Sequence, residues 1–194
     1  LWYALWIRLR GLDLGAASLE NIGLSRDRSK AHTSSGGPDL ARVLKSIEIP
    51  PWSRALDLGS GKGGAVFTLS RFGFAEIVGV ELSEKLVRIA EANANRLGVV
   101  NVHFYCLDAG KFTDLDCFTH VYLYNPFPIE VMREVMNNLA ASLARKPRPL
   151  ILICKSPYSL ENEISPNLFR LEKEYRFPYS PPFYVYVHKV SEKG

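Results

Sequence analysis

The sequence predicts an α/β fold: a mostly parallel, seven-stranded sheet with helices on both faces and an antiparallel C-terminal hairpin. Three observations point to it. From Arg54 onward short β-type runs alternate with helical runs, the pattern that builds a parallel sheet. A glycine-rich segment, Gly59 to Gly64, stands between the first strand and the first helix of that series. After Pro157 the alternation stops and two strand-like stretches follow one another.

The expected parallel strands are Arg54 to Leu58, Glu76 to Glu81, Val102 to Leu107, His120 to Tyr124 and Leu150 to Lys155. Between them lie helices near Gly64 to Phe72, Ser83 to Leu97 and Ile129 to Arg145. In the second helix Leu86, Ile89, Ala90, Asn93 and Leu97 share one face, and Glu84, Lys85, Arg88 and Glu91 lie mostly opposite. Ser83 stands where an N-cap is expected. The hairpin is assigned to Phe169 to Phe177 and Phe183 to Val190, the second alternating as FYVYVHKV, with PYSPP as the turn.

Residues 1–53 read as an N-terminal extension of helix and loop, and residues 54–194 as the sheet domain. The stretch from Ser25 to Asp39 has almost no large apolar residue and carries two adjacent glycines, so Ser25 to Gly37 is expected to be an exposed, mobile loop. Pro38 and Asp39 then open an amphipathic segment with Leu40, Val43, Leu44 and Ile47 at helical spacing, stopped by Pro50 and Pro51.

At 194 residues and 47% hydrophobic composition the chain supports one well-buried core. No stretch reaches the roughly 20 apolar residues of a bilayer-spanning helix, so no membrane partner is expected. Cys106, Cys117 and Cys154 follow no metal-ligand spacing and are odd in number, and they read as reduced core residues of a cytoplasmic protein. The net charge of +4 is spread among acids rather than gathered into a run, so a nucleic-acid partner is not favoured.

The chemistry concentrates in Ala55-Leu56-Asp57-Leu58-Gly59-Ser60-Gly61-Lys62-Gly63-Gly64. Glycines at this place let the backbone approach a ligand at the carboxyl end of the first strand. The spacing fits two patterns: Gly59, Gly61 and Gly64 satisfy the dinucleotide fingerprint, while Asp57, Gly59, Gly61 and Gly63 satisfy Asp-x-Gly-x-Gly-x-Gly. Glu81 fits a ribose-holding acid in either. Asp57 separates them, because a buried carboxylate repels a pyrophosphate and attracts a cationic ligand. Lys62 is expected to be solvated.

With these residues in order, the segment from Arg54 to Pro157 resembles the class I S-adenosylmethionine-dependent methyltransferases, whose fold is Rossmann-like. The resemblance assigns Asp57, Gly59, Ser60, Gly61 and Gly63 to the cofactor, together with Glu81 and Leu82 in IVGVELS for the ribose. It assigns Asp108 and Ala109 in YCLDAGKF to the adenine. Asn125, Pro126 and Phe127, after VYLY, match the loop beside the transferred methyl group, Asn125 touching cofactor as well as acceptor. That loop is similar to the Asn-Pro-Pro-aromatic loop of amino-methylating enzymes, but Phe127 replaces its second proline and Pro128 its aromatic residue. His32, Thr33 and Ser34 correspond to a loop that folds over the cofactor in many relatives, and Tyr158 borders the expected acceptor pocket.

The function implied is methyl transfer from S-adenosylmethionine, without a metal, to an acceptor favoured to be an amine of a small molecule or protein. A cofactor-binding interaction module without catalysis and an NAD-dependent oxidoreductase are the rival readings.

Overall fold

The stretch RALDL is buried at every position after Arg54, as expected of a strand covered on both faces. In the computed structural model, which describes residues 2–18, 36–124, 127–156 and 163–189, it forms the central strand β1 (Arg54–Leu58). The other strands are β2 (Glu76–Glu81), β3 (Val102–Cys106), β4 (His120–Tyr124), β5 (Ile151–Lys155), β6 (Phe169–Phe177) and β7 (Ser180–His188). They make one seven-stranded sheet in the order β3-β2-β1-β4-β5-β7-β6. It is parallel through β5, and β7 runs antiparallel between β5 and β6. The order reverses between β1 and β4, so the connections after these strands leave in opposite directions and open a crevice at their carboxyl ends.

The helices are α1 (Trp2–Leu9), α2 (Pro38–Leu44), α3 (Gly64–Leu69), α4 (Glu84–Leu97) and α5 (Ile129–Arg145). Alternation along the strands divides the core into two layers. Leu56, Leu58, Val78, Val80, Val121 and Leu123 face α5, which answers with Val131, Met132, Val135 and Leu139. On the other face Ala55, Ile77, Tyr122 and Ile153 meet Leu40 and Val43 of α2 and Ala65 and Val66 of α3. Leu12 and Leu14 join this second layer, so the N-terminal residues contribute to the core of the sheet domain. No helix among the described residues is long and apolar enough to cross a membrane.

The α/β architecture, the mostly parallel seven-stranded sheet and the terminal hairpin are as the sequence predicts. Departures are local. No helix is assigned to the apolar opening stretch within the extension of helix and loop, and it forms α1. The buried face of α4 includes Val87 and Ala94, while Ile89 is half-exposed. Ser83 takes the N-cap position, but its side chain makes no cap hydrogen bond. The hairpin turn is not PYSPP: Phe177 pairs with Ser180, and Pro178-Tyr179 turns alone with Tyr179 at φ 60°. Pro181 and Pro182 therefore lie inside β7, and the Pro182 carbonyl accepts from Ser156 N–H. Of the three cysteines only Cys154 is buried; Cys106 is exposed on the edge strand β3.

Candidate functional site

Gly59 leaves β1 at φ 80°, and its N–H, with that of Ser60, donates to the Val80 carbonyl of the neighbouring strand. The loop ends on Gly63 at φ 87°, which caps α3 in the left-handed conformation. A Cβ on Gly63 would stand 2.6 Å from the Phe67 ring, so both backbone angle and space require glycine. Directly below, a Cβ on Gly79 would meet Phe104 at 2.7 Å and the Ser60 hydroxyl at 2.8 Å. Gly79 escapes notice in the sequence because it stands alone in an apolar strand.

Glu81, at the end of β2, ties this loop together. Its carboxylate accepts from Gly61 N–H at 2.9 Å and from Ser83 N–H at 2.9 Å, joining the turns after β1 and β2. Burial pushes its carboxyl toward the protonated form, and the backbone donors oppose that shift. Leu82 follows, half-buried. Asp57 pairs in register with Gly79 and Tyr122 and is wholly enclosed. Its carboxyl is raised to about 8, first by burial and then by the charge of Glu81. Asp57 Oδ2 and the Ser60 hydroxyl have no hydrogen-bond partner among the described residues. A buried carboxyl of this kind suits a ligand that brings a positive charge.

Asp108 and Ala109 follow β3. The Asp108 carboxylate accepts from Gly110 N–H at 2.9 Å and caps a short 3₁₀ turn, Ala109–Lys111. Ala109 is buried in the α5-side core. The Phe127 ring, placed by the sequence next to the acceptor, is buried in the same core layer, against α5. Asn125 and Pro126 lie outside the described residues, as do His32, Thr33, Ser34 and Tyr158. Of the expected mobile loop only its last two residues are described, and these are pinned. Gly37 N–H donates to the Thr68 hydroxyl at 2.8 Å, and a Cβ on Gly36 would collide with the Gly64 carbonyl at 2.2 Å.

Lys62 is not solvated. Its side chain is 8% exposed and its ammonium meets the Asp13 carboxylate at 2.6 Å. Asn93, on the inner face of α4, completes the arrangement by donating to the carbonyls of Asp13 (2.9 Å) and Lys62 (3.2 Å) and accepting from Asp13 N–H (3.1 Å). The signal for Asn93 was an amide on an otherwise apolar helix face. No sequence pattern points to Asp13.

Lys155 was missed altogether. It ends β5, in register with Tyr124, and is 8% exposed. Its Nζ stands 4.6 Å from the centre of the Tyr124 ring and 5.2 Å from that of Phe183. Burial draws the Lys155 ammonium below the ordinary lysine range, and the charge of Asp39 acts in the opposite sense.

A family model described as a methyltransferase domain matches residues 52–155. The chain is 33% identical over 88 residues to a protein-L-isoaspartate O-methyltransferase of Thermotoga maritima, covering 44% of this chain and 28% of that protein. It is 40% identical over 67 residues to a 23S rRNA (uracil(1939)-C(5))-methyltransferase of Alkalilimnicola ehrlichii, covering 34% of this chain and 15% of that protein. The chain thus spans less than a third of the length of these curated relatives. Among solved structures, an RNA methyltransferase of Salinibacter ruber in complex with S-adenosyl-L-homocysteine superposes with a TM-score of 0.60 at 22% identity, covering 84% of this chain and 96% of that one. The PH0226 protein of Pyrococcus horikoshii gives 0.59 at 22% identity, covering 76% and 86%. At these identities the superpositions carry the fold.

Proposed function

This chain belongs to the methyltransferase-domain family, S-adenosylmethionine-dependent enzymes, and we propose that its acceptor is an amine, of a small molecule or a protein, presented beside Asn125 and Pro126. The observation that carries the cofactor side is the pair of buried carboxyls, Asp57 and Glu81, at the ends of adjacent strands below the glycine loop. Two such groups favour a ligand bearing an ammonium and a sulfonium and oppose a pyrophosphate, which speaks against the dinucleotide reading.

In this reading Glu81 and Leu82 hold the ribose, Asp108 and Ala109 the adenine, and Asp57 with Gly59 to Gly63 the amino-acid end. When bound, S-adenosylmethionine supplies a methyl carbon activated by its sulfonium. The chain's own residues then align and desolvate the acceptor, the larger part of catalysis for an in-line displacement. Asn125 is followed by Pro126, which biases it toward extended backbone, so its amide is suited to accept a hydrogen bond from an acceptor N–H. Held by Asp57, Glu81 and Asp108, the cofactor would supply its methyl group to the lone pair of an acceptor amine, whose displaced proton would leave to solvent.

Isothermal titration with S-adenosylmethionine and with NAD tests the cofactor assignment. Binding of the former alone is expected; binding of NAD alone overturns it. Transfer of a radiolabelled methyl group to fractionated amines tests the acceptor, and label recovered only in ester or carbon linkage sinks the amine reading.

A further inference from the structure

Lysine is rarely buried without a carboxylate, because an ammonium out of water loses solvation that only a partner restores. Among the described residues two lysines, Lys62 and Lys155, are buried beside the carboxyl edge of the sheet, and they are compensated differently. Lys62 has Asp13 at 2.6 Å. Lys155 has aromatic faces: Tyr124 at 4.6 Å and Phe183 at 5.2 Å. Among the described residues no carboxylate comes within ion-pair reach of Lys155 and none accepts a hydrogen bond from its Nζ. The acid whose charge reaches it, Asp39, is paired with Arg42 at 3.2 Å.

Ring faces stabilise a cation but accept none of its three N–H bonds in the manner of an oxygen. The residue is also placed where chemistry is expected. It ends β5, directly beside Tyr124, the residue that precedes Asn125 and Pro126. Lys155 is the last residue of β5, and Ser156 after it takes φ 54°.

We infer that Lys155 binds an anionic oxygen, of a carboxylate or a phosphate, carried by the methyl acceptor. The inference rests on the proposed acceptor position beyond β4 and narrows it: the acceptor bears an oxyanion within a side chain's reach of the nitrogen that takes the methyl group. Tyr124 and Phe183 form an apolar wall on which Lys155 is held in one direction, so the charge points at a fixed place.

The test uses the full chain saturated with S-adenosylhomocysteine and follows its melting temperature on titration with inorganic phosphate or acetate, with chloride at equal ionic strength as the reference. The wild type is expected to rise saturably with one of them, phosphate marking a phosphorylated acceptor and acetate a carboxylate. Lys155→Met should abolish the rise and Lys155→Arg should keep most of it, with S-adenosylhomocysteine affinity changed less than about threefold in both. An equal rise in Lys155→Met, or none in the wild type, overturns the inference. Failure of S-adenosylhomocysteine to bind the wild type strikes instead at the cofactor reading. Should Lys155→Met not fold, the wild type labelled with ¹³C-lysine still decides: the Lys155 Cε resonance, identified by its loss in Lys155→Arg, must move with the anion, and a stationary resonance overturns the inference.

Discussion

The Lys62 ammonium stands 2.6 Å from the Asp13 carboxylate, and Asn93 holds the main chain of both residues. The glycine loop is thereby fastened to a segment 49 residues earlier and to the helix after β2. The loop's shape depends on residues that no loop motif contains.

Asn93→Ala should therefore destabilise the fold by about 2 to 4 kcal/mol, since it deletes the three hydrogen bonds of a fully buried side chain. Asp13→Asn should cost only about 0.5 to 1.5 kcal/mol, because the Asp13 side chain is 53% exposed and water replaces part of the lost interaction. Urea midpoints for the two variants check the order. Equal losses would mean that the ion pair, not the amide, carries the attachment.

Glu81→Ala should weaken S-adenosylmethionine binding by more than about tenfold, or roughly 1.5 to 3 kcal/mol, while the domain stays folded. Losing the ribose partner and releasing Gly61 N–H and Ser83 N–H from a shared acceptor act in the same direction. Glu81→Gln retains one acceptor oxygen and should fall between. Calorimetric titration reads both, and unchanged affinity in a folded Glu81→Ala protein removes Glu81 from the site.

The sheet was legible because its signals are periodic and local. Five strands or helices, among them Ile129–Arg145 and Phe169–Phe177, coincide with their expected bounds, since apolar runs there end on turn residues. The glycine loop was legible for the same reason. What the sequence concealed is long-range pairing of polar groups. Lys62 looks solvated in a glycine loop until Asp13 is brought against it, and Lys155 looks like the ordinary polar end of a strand until Phe183 arrives from the antiparallel β7. The 3₁₀ turn at Asp108 was hidden differently: one carboxylate serves as a turn cap whether or not it also meets a ligand.

Asn125→Ala is expected to lower turnover about ten- to a thousandfold while cofactor affinity shifts less than about threefold, since an acceptor-orienting amide acts on alignment rather than on cofactor contacts. Steady-state kinetics on the identified acceptor, with calorimetry in parallel, separates the two. Normal turnover in a folded variant would leave Asn125 only a capping role at the start of α5.

The last prediction concerns acidity and follows from two buried groups of opposite sense. Asp57 has its carboxyl raised to about 8 by burial and by the charge of Glu81. Between about pH 4 and 8 the folded chain therefore keeps a proton at this position that the unfolded chain has released. The folded state binds more protons there, so the contribution of Asp57 to stability is fully present below about pH 4 and is lost as pH rises toward 8. His120, buried against Phe74 with its ring nitrogens engaged by the Thr119 hydroxyl and the Glu48 carbonyl, is lowered to about 4, chiefly by burial. Its folded-state value lies below its unfolded one, so its contribution is present above about pH 6.5 and is lost as pH falls toward 4. The two slopes oppose one another between pH 4 and 6.5, and above pH 6.5 only that of Asp57 remains. Asp57→Asn should accordingly flatten the decline of melting temperature between pH 6.5 and 8 and make the ligand-free chain more stable than wild type at pH 8. The same variant should bind S-adenosylmethionine more weakly, because the carboxylate that a cationic ligand would stabilise is gone. Melting curves from pH 4 to 8.5, with and without the ligand, test both halves. An unchanged slope above pH 6.5 in Asp57→Asn would show that Asp57 is already ionised in the folded chain.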